Sequence, residues 1–293
     1  MAGESLFVAA GHDGLRIVSR DGIRWEHAQS GREGETFLSV CFGGGRCVAA
    51  GRFGGSNLLS VTADGRTWKN QLQDARYALY LLGLCHAAGR FLGVGGDPGA
   101  VGASQPFVVH SPDGESWSER QEISGKNVLR RLAWGSGRIV AVGDRGRRAV
   151  STDGLTWQDV PEPKAVDTLV DVAFGAGVFV GVGLHGLRMV SRDGLQWEHR
   201  VTGPEGEHLN SVLWTGKQFA AIGLGASYFS ADGVQWERRP NRNPPLTAAY
   251  GAGTFVGAAW KGRLLRSPDG VTWEEAFRAP THVEAVGYGA LGG

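Results

Sequence analysis

Seven aspartates stand directly before a glycine and four residues before a tryptophan: Asp21, Asp64, Asp113, Asp153, Asp193, Asp232 and Asp269. A serine or threonine lies two positions ahead of each, completing the phrase Ser/Thr-x-Asp-Gly-x-x-Trp. Repeated carboxylates are raw material for general acid–base chemistry and for metal ligation. A second set lies between the phrases. His12, Asp13, Asp97, Asp144 and His185 suit proton transfer or metal binding, while Arg145, Arg147 and Lys261 suit the holding of an anion. No local ligand spacing ties these residues together, so the sequence points to no catalytic set, no metal site and no cofactor.

The positions of both sets follow from a repeat. The phrase tryptophans are Trp25, Trp68, Trp117, Trp157, Trp197, Trp236 and Trp273, separated by 43, 49, 40, 40, 39 and 37 residues. That is the period of a four-stranded propeller blade. Residues 169–198 show the anatomy. Leu169 to Phe174 reads as a first strand, Val178 to Val182 as a second, Leu187 to Val190 as a third, and the Ser191–Gly194 turn delivers a fourth around Gln196-Trp197-Glu198. The runs are short, rich in Val, Phe and Leu, and bounded by glycine, as strands are. No stretch has a helical period.

The two ends each hold part of a repeat. Leu6–Ala10, Leu15–Val18 and Arg24–Glu26 read as second, third and fourth strands, and Val283–Tyr288 reads as a first strand with nothing after its turn. Together they make one blade. The expected fold is therefore an all-β, seven-bladed β-propeller with four antiparallel strands per blade, its ring closed by one C-terminal strand joining three N-terminal strands. It is expected to be a single domain over 1–293, with the last blade shared by about 5–27 and 282–293.

Asp-Gly between two strands is a hairpin signal. The aspartate can accept N–H bonds across its own turn, the hydroxyl can add another, and the tryptophan can cover the turn from strand four. The phrase resembles the Asp-box, or BNR repeat, of sialidase-like β-propellers, written Ser-x-Asp-x-Gly-x-Thr-Trp. Here Gly follows Asp directly, so the phrase is one residue shorter. The resemblance runs through all seven phrases and implies propeller architecture. It also implies that Asp21, Asp64, Asp113, Asp153, Asp193, Asp232 and Asp269 are structural turn residues on the face away from catalysis. A sialidase would need an arginine triad, a Tyr–Glu pair and a further acid. That set cannot be placed here, no Arg-Ile-Pro motif occurs, and such sialidases are usually six-bladed.

Function is expected at the opposite face, where loops join strand two to strand three and strand four to the next blade. His12, Asp13, Asp97, Asp144, Arg145, Arg147, His185 and Lys261 all fall in these loops, as does the symmetry-breaking stretch 97–106. Arg16, Arg148 and Arg188 share one repeat position and are either anion binders or strand-end ion pairs. Arg131 and Asp171, in adjacent inner strands among otherwise small residues, are expected to bridge. The aromatics at the end of strand one (Phe42, Trp134, Phe174, Trp214, Tyr250 and Tyr288) read as interblade core.

Composition narrows the partners. Net charge is +1 over 293 residues, which argues against general affinity for nucleic acid or anionic membrane. Cys41, Cys47 and Cys85 read as small core residues rather than a disulfide framework. No apolar run reaches transmembrane length. No basic segment precedes an apolar run of signal-peptide length, so the chain as written reads as cytoplasmic; secretion would require a leader that was removed. The expected function is a non-catalytic binding or assembly scaffold presenting its loop face to a protein partner or to an anionic or carbohydrate ligand, monomeric unless built into an assembly. The alternative is a sialidase-like glycosidase or carbohydrate-active lyase with its site at the channel mouth.

Overall fold

The glycine-bounded apolar runs form strands, and the strands form seven four-stranded antiparallel sheets. The structure is a computed structural model and describes residues 4–74, 80–97, 105–161 and 164–292. Residues 98–104 of the symmetry-breaking stretch lie outside the described residues. Six sheets each use four consecutive strands, beginning with Thr36–Gly43, Tyr80–Ala87, Leu129–Gly135, Leu169–Gly175, His208–Trp214 and Thr247–Gly251. The seventh pairs Val283–Ala290 with Ser5–Gly11, then Arg16–Ser19 and Glu26–Gln29. Ring closure by a C-terminal strand is thus as the repeat phase predicts. Inner strands contact one another in sequence around the ring, with Val283–Ala290 meeting Thr36–Gly43 to complete it. Among the described residues no helix is long and apolar enough to cross a membrane.

The core lies between blades. Each apolar cluster joins residues of neighbouring sheets, as where Val180, Val190, Leu209, Phe219 and Tyr228 meet. Most of the aromatics at the end of strand one pack into these seams: Phe174 lies against Phe179, Trp214 against Phe219, and Tyr250 against Phe255, with ring centroids 4.7 to 4.8 Å apart. Trp134, expected there too, is instead 37% exposed. Cys47 and Cys85 are buried, and burial pushes the Cys85 thiol up to about 12. Cys41 faces Val48 across the hairpin, not Cys47.

In every phrase the turn is locked the same way. At Ser191–Trp197 the Asp193 carboxylate accepts the N–H groups of Leu195 and Gln196 at 2.9 and 2.8 Å, and Ser191 Oγ accepts the Gly194 N–H at 2.8 Å. The tryptophan differs from the sequence expectation. Strand four begins after it, at Glu198. Trp197 belongs to the turn, because its indole N–H donates to the Gly194 carbonyl at 2.8 Å and so draws the ring back over Gly194. Trp25, Trp117, Trp157 and Trp236 do the same.

The inner strands share a second device. Five of them skip one residue in the ladder to strand two, at Leu38, Leu82, Arg130, Val170 and Asn210, and the shared blade skips Glu284. These are β-bulges, which re-aim a side chain and sharpen the local twist. The bulge brings the inner-strand carbonyl against the glycine near the end of strand two. A Cβ at Gly51 or Gly223 would overlap the carbonyl of Thr36 or His208, which accounts for glycine there.

Candidate functional site

The bulges surround a cavity of about 190 Å³ on the propeller axis. All seven inner strands, or the residues just before them, contribute to it. Leu38, Asn210, Leu246 and Glu284 line its mouth; Ser39, Arg131, Asp171, Ser211 and Thr247 form a polar girdle; Val40, Leu84, Leu132, Ala248 and Val286 complete the lining.

The girdle also binds blade to blade. Ser39 Oγ accepts the Leu84 N–H at 3.1 Å, Asp171 Oδ2 the Val212 N–H at 2.9 Å, and Ser211 Oγ the Ala248 N–H at 3.2 Å. Asp171 Oδ1 accepts the N–H of Val172 at 2.9 Å. The expected Arg131–Asp171 bridge does not form. Arg131 NH1 donates to the carbonyls of Leu82 and Arg130 at 2.9 and 3.0 Å, and the two charges act on each other through space. Desolvation in the narrow lumen raises the Asp171 pKa to about 6 against the opposing pull of Arg131 and the two N–H donors.

Above the girdle, His12 Nε2 lies 2.9 Å from Glu284 Oε1, with His282 Nε2 at 3.7 Å from the same oxygen. The His12 and His282 rings meet edge to face, and His282 stacks flat on Trp260 at 5.2 Å. Asp13 Oδ1 accepts the Gly34 N–H at 3.2 Å. Asp144 is held by Arg130 through two bonds of 2.5 and 2.8 Å. The His185 N–H donates to His208 Nδ1 at 3.2 Å. Asp97 is half-buried. His12, Asp144 and His185 are thus each engaged with neighbours at separate points on the rim. Among the described residues, no group of three or more His, Cys, Asp or Glu is placed to hold a metal ion.

Arg145 and Lys261 are exposed in left-handed turn positions at φ 55° and 62°. Arg147 is not available to a ligand. It is buried, with bonds to Asp159 at 3.0 to 3.2 Å and to the carbonyls of Ser124 and Asn127. The repeat-phase arginines are also internal. Arg16, Arg148 and Arg188 lie over the next blade's phrase tryptophan, Trp68, Trp197 and Trp236, at 5.3 to 5.7 Å. A buried acid faces each across the seam: Glu35, Asp167 and Glu207. Burial lowers the pKa of Arg16 and Arg148, and the facing acid opposes it.

The residue after Gly11, Gly51, Gly95, Gly143, Gly183, Gly223 and Ala259, at or just past the end of strand two, occupies one repeat position around the rim. Reading round the ring, it is His12, Arg52, Gly96, Asp144, Leu184, Leu224 and Trp260. One arc is polar. The other, over three consecutive blades, is apolar and open, with Leu184, Leu224 and Trp260 exposed at 48, 55 and 66%. Arg52 lies over Tyr80 at 5.4 Å, and neither it nor Arg145 nor Lys261 has an ion pair among the described residues. Mouth acids, by contrast, are largely engaged: Asp144, Asp159, Asp167, Glu35 and Glu207 each bind an arginine.

The sequence places Trp260 in a loop of this face beside Lys261, and the structure puts it on the rim. Sequence reasoning missed Glu284, His282 and His208 as rim residues; the available signal was the repeat register, which aligns Glu284 with Leu38 and Asn210.

The fold and rim define a seven-bladed β-propeller with a polar axial cavity and an asymmetric mouth. No family model matches the chain, and no curated protein matches it. Solved structures do. YCF48 bound to D1 peptide is similar at 22% identity and a TM-score of 0.61, over 83% of this chain and 82% of that one. YCF48 from Cyanidioschyzon merolae is similar at 15% identity and a TM-score of 0.58, over 84% and 86%. The periplasmic gluconolactonase PpgL of Pseudomonas aeruginosa is similar at 10% identity and a TM-score of 0.72, over 98% and 99%. These likenesses establish the fold.

Proposed function

We propose that the protein is a binding scaffold whose loop face docks an acidic, partly apolar segment of a protein partner. One observation carries this reading: the rim sets an open arc of Leu184, Leu224 and Trp260 beside Arg52, Arg145 and Lys261, cations without ion pairs among the described residues. Exposed aromatic and arginine side chains are the types enriched in interface hot spots. The surplus positive charge favours an anionic partner and speeds its encounter. That a similar propeller is described with a bound peptide supports the same use of the fold. We further read the seven Asp-Gly turns as a shortened Asp-box and the chain as one propeller domain with a shared blade. The rim carboxylates support binding over glycosidase chemistry, since both oxygens of Asp144 are bound to Arg130.

A peptide library scored by fluorescence anisotropy tests this. Acidic peptides with interspersed aromatic or leucine residues should bind, more weakly as salt rises. Trp260→Ala and the Arg52→Glu/Lys261→Glu pair should each weaken binding at least about tenfold. Equal binding by wild type and both variants would remove the rim from the mechanism.

A further inference from the structure

The axial cavity lies inside the rim and is chemically distinct from it. We propose that the cavity binds a small zwitterion of the α-amino acid class, its carboxylate on Arg131 and its ammonium on Glu284.

Arg131 is built to receive a carboxylate. Its NH1 is anchored to the carbonyls of Leu82 and Arg130, which fixes the guanidinium plane. Nε and NH2 have no partner among the described residues and belong to a side chain lining the cavity. An anchored guanidinium with donors to spare is pre-organised for two parallel bonds to one carboxylate. Glu284 is the complementary group. The bulge at Glu284 places this residue at the cavity mouth, and His12 orients it through Oε1. Oε2 has no partner among the described residues.

The two charges stand on opposite walls. Going round the ring from the inner strand of Arg131 to that of Glu284 takes four blades one way and three the other. A ligand with charges of both signs can satisfy both walls, whereas an anion or a cation alone leaves one unmet. Asp171 sits in the blade next to Arg131, but both its oxygens already accept backbone N–H bonds. It therefore does not close on Arg131, and its charge lies on the Arg131 side of the cavity, three blades from Glu284. The hydroxyls of Ser39, Ser211 and Thr247 and the amide of Asn210 offer further polar contacts. Val40, Leu84, Leu132, Ala248 and Val286 give an aliphatic side chain an apolar wall. The lining is mainly polar, with this smaller apolar portion, which suits a ligand that carries charge at one end and a short aliphatic group at the other. With no three-donor set for a metal among the described residues, an organic ligand fits better than a divalent cation.

This assignment is independent of whether a partner docks on the rim. The experiment is isothermal titration of the full chain, backed by thermal shift, with leucine, N-acetylleucine, leucinamide and glucose. Leucine should bind, and the two blocked forms should each bind at least about tenfold more weakly, because each leaves one of the two wall charges unmet. Glu284→Gln, which keeps the size of the side chain, and Arg131→Gln should each cost a similar factor. Arg192→Ala, on the turn face, should leave binding unchanged. Near-UV circular dichroism verifies folding of each variant, and Glu284→Gln decides the matter if Arg131→Gln does not fold. No binding of leucine at about 10 mM (far above typical small-ligand site affinities), equal binding of the blocked forms or of glucose, or unchanged binding by Glu284→Gln would each overturn the assignment.

Discussion

The carboxylate of Asp171 receives the backbone N–H of Val212 from the neighbouring blade at 2.9 Å. Ser39 and Ser211 make the same link with a hydroxyl at their own positions in the ring. One repeat position thus couples successive inner strands, and at Asp171 alone of these three the link carries a titrating charge.

That charge sets a pH dependence. The folded pKa of about 6 lies above the ordinary 3.8, so the folded state holds the proton more tightly than the unfolded chain. The residue's contribution to stability is fully present below about pH 4 and is lost as pH rises through about 6. Asp171→Ser keeps the acceptor and removes the slope. Urea titrations should show the variant gaining on wild type by on the order of 2 kcal/mol between pH 4 and pH 7.5. Parallel pH curves would contradict this assignment of the charge.

The phrase turns titrate in the opposite sense. The N–H groups of Ser116 and Glu115 hold the Asp113 carboxyl below its ordinary range, and Ser111 adds a third bond. Asp113→Ala should cost about 0.5–2 kcal/mol at neutral pH, on the scale of a helix cap. Because the folded pKa is depressed, that difference should persist above pH 4 and fade as pH drops through the folded pKa. Denaturation at pH 7 and at about pH 2.5, below the unfolded value, measures both.

The arginine seams predict large effects from conservative changes. Arg188 lies 3.9 Å over Tyr228 and donates to the Gly186 carbonyl at 2.7 Å. Arg188→Met keeps much of the volume but removes the cation from Glu207 and from both rings. A loss of about 2–4 kcal/mol is expected. A double-mutant cycle with Trp236→Leu should show coupling; additive losses would mean the cation–π contact contributes nothing.

Gly135 tests the packing of the aromatic seam. A Cβ there overlaps the Phe174 ring of the next blade. Gly135→Ala should destabilise by about 1–3 kcal/mol. Combining it with Phe174→Ala should cost less than the sum of the two, read as a shift in denaturation midpoint.

Much of this architecture is legible in the residues. The phrase Ser-x-Asp-Gly-x-x-Trp marks each blade because all its bonds are local, from Ser191 to Trp197. The shared blade is legible because its four strands keep the repeat order. Long-range contacts are not written that way. Arg16, Arg148 and Arg188 share a repeat position, yet nothing local says that each meets the next blade's tryptophan and a buried acid. Arg147 resembles its surface neighbour Arg145, and only the fold around Asp159 and Ser124 separates them. Glu284 is hidden for a similar reason. Its place at the mouth depends on a bulge, a change of ladder register that alternating hydrophobicity does not report.

The shared blade also shapes how the molecule is made. Ser5–Gly11 is synthesised before Val283–Ala290, the strand that pairs with it. Until Val283–Ala290 is available, Ser5–Gly11, whose residues from Leu6 on are buried in the finished ring, has an open edge of the kind that pairs with other chains. The other six blades can form in order as they emerge, but the shared one must wait for its C-terminal strand. The interval between the two strands is the period in which this chain is most open to misassociation, and truncation before Val283 makes that exposure permanent.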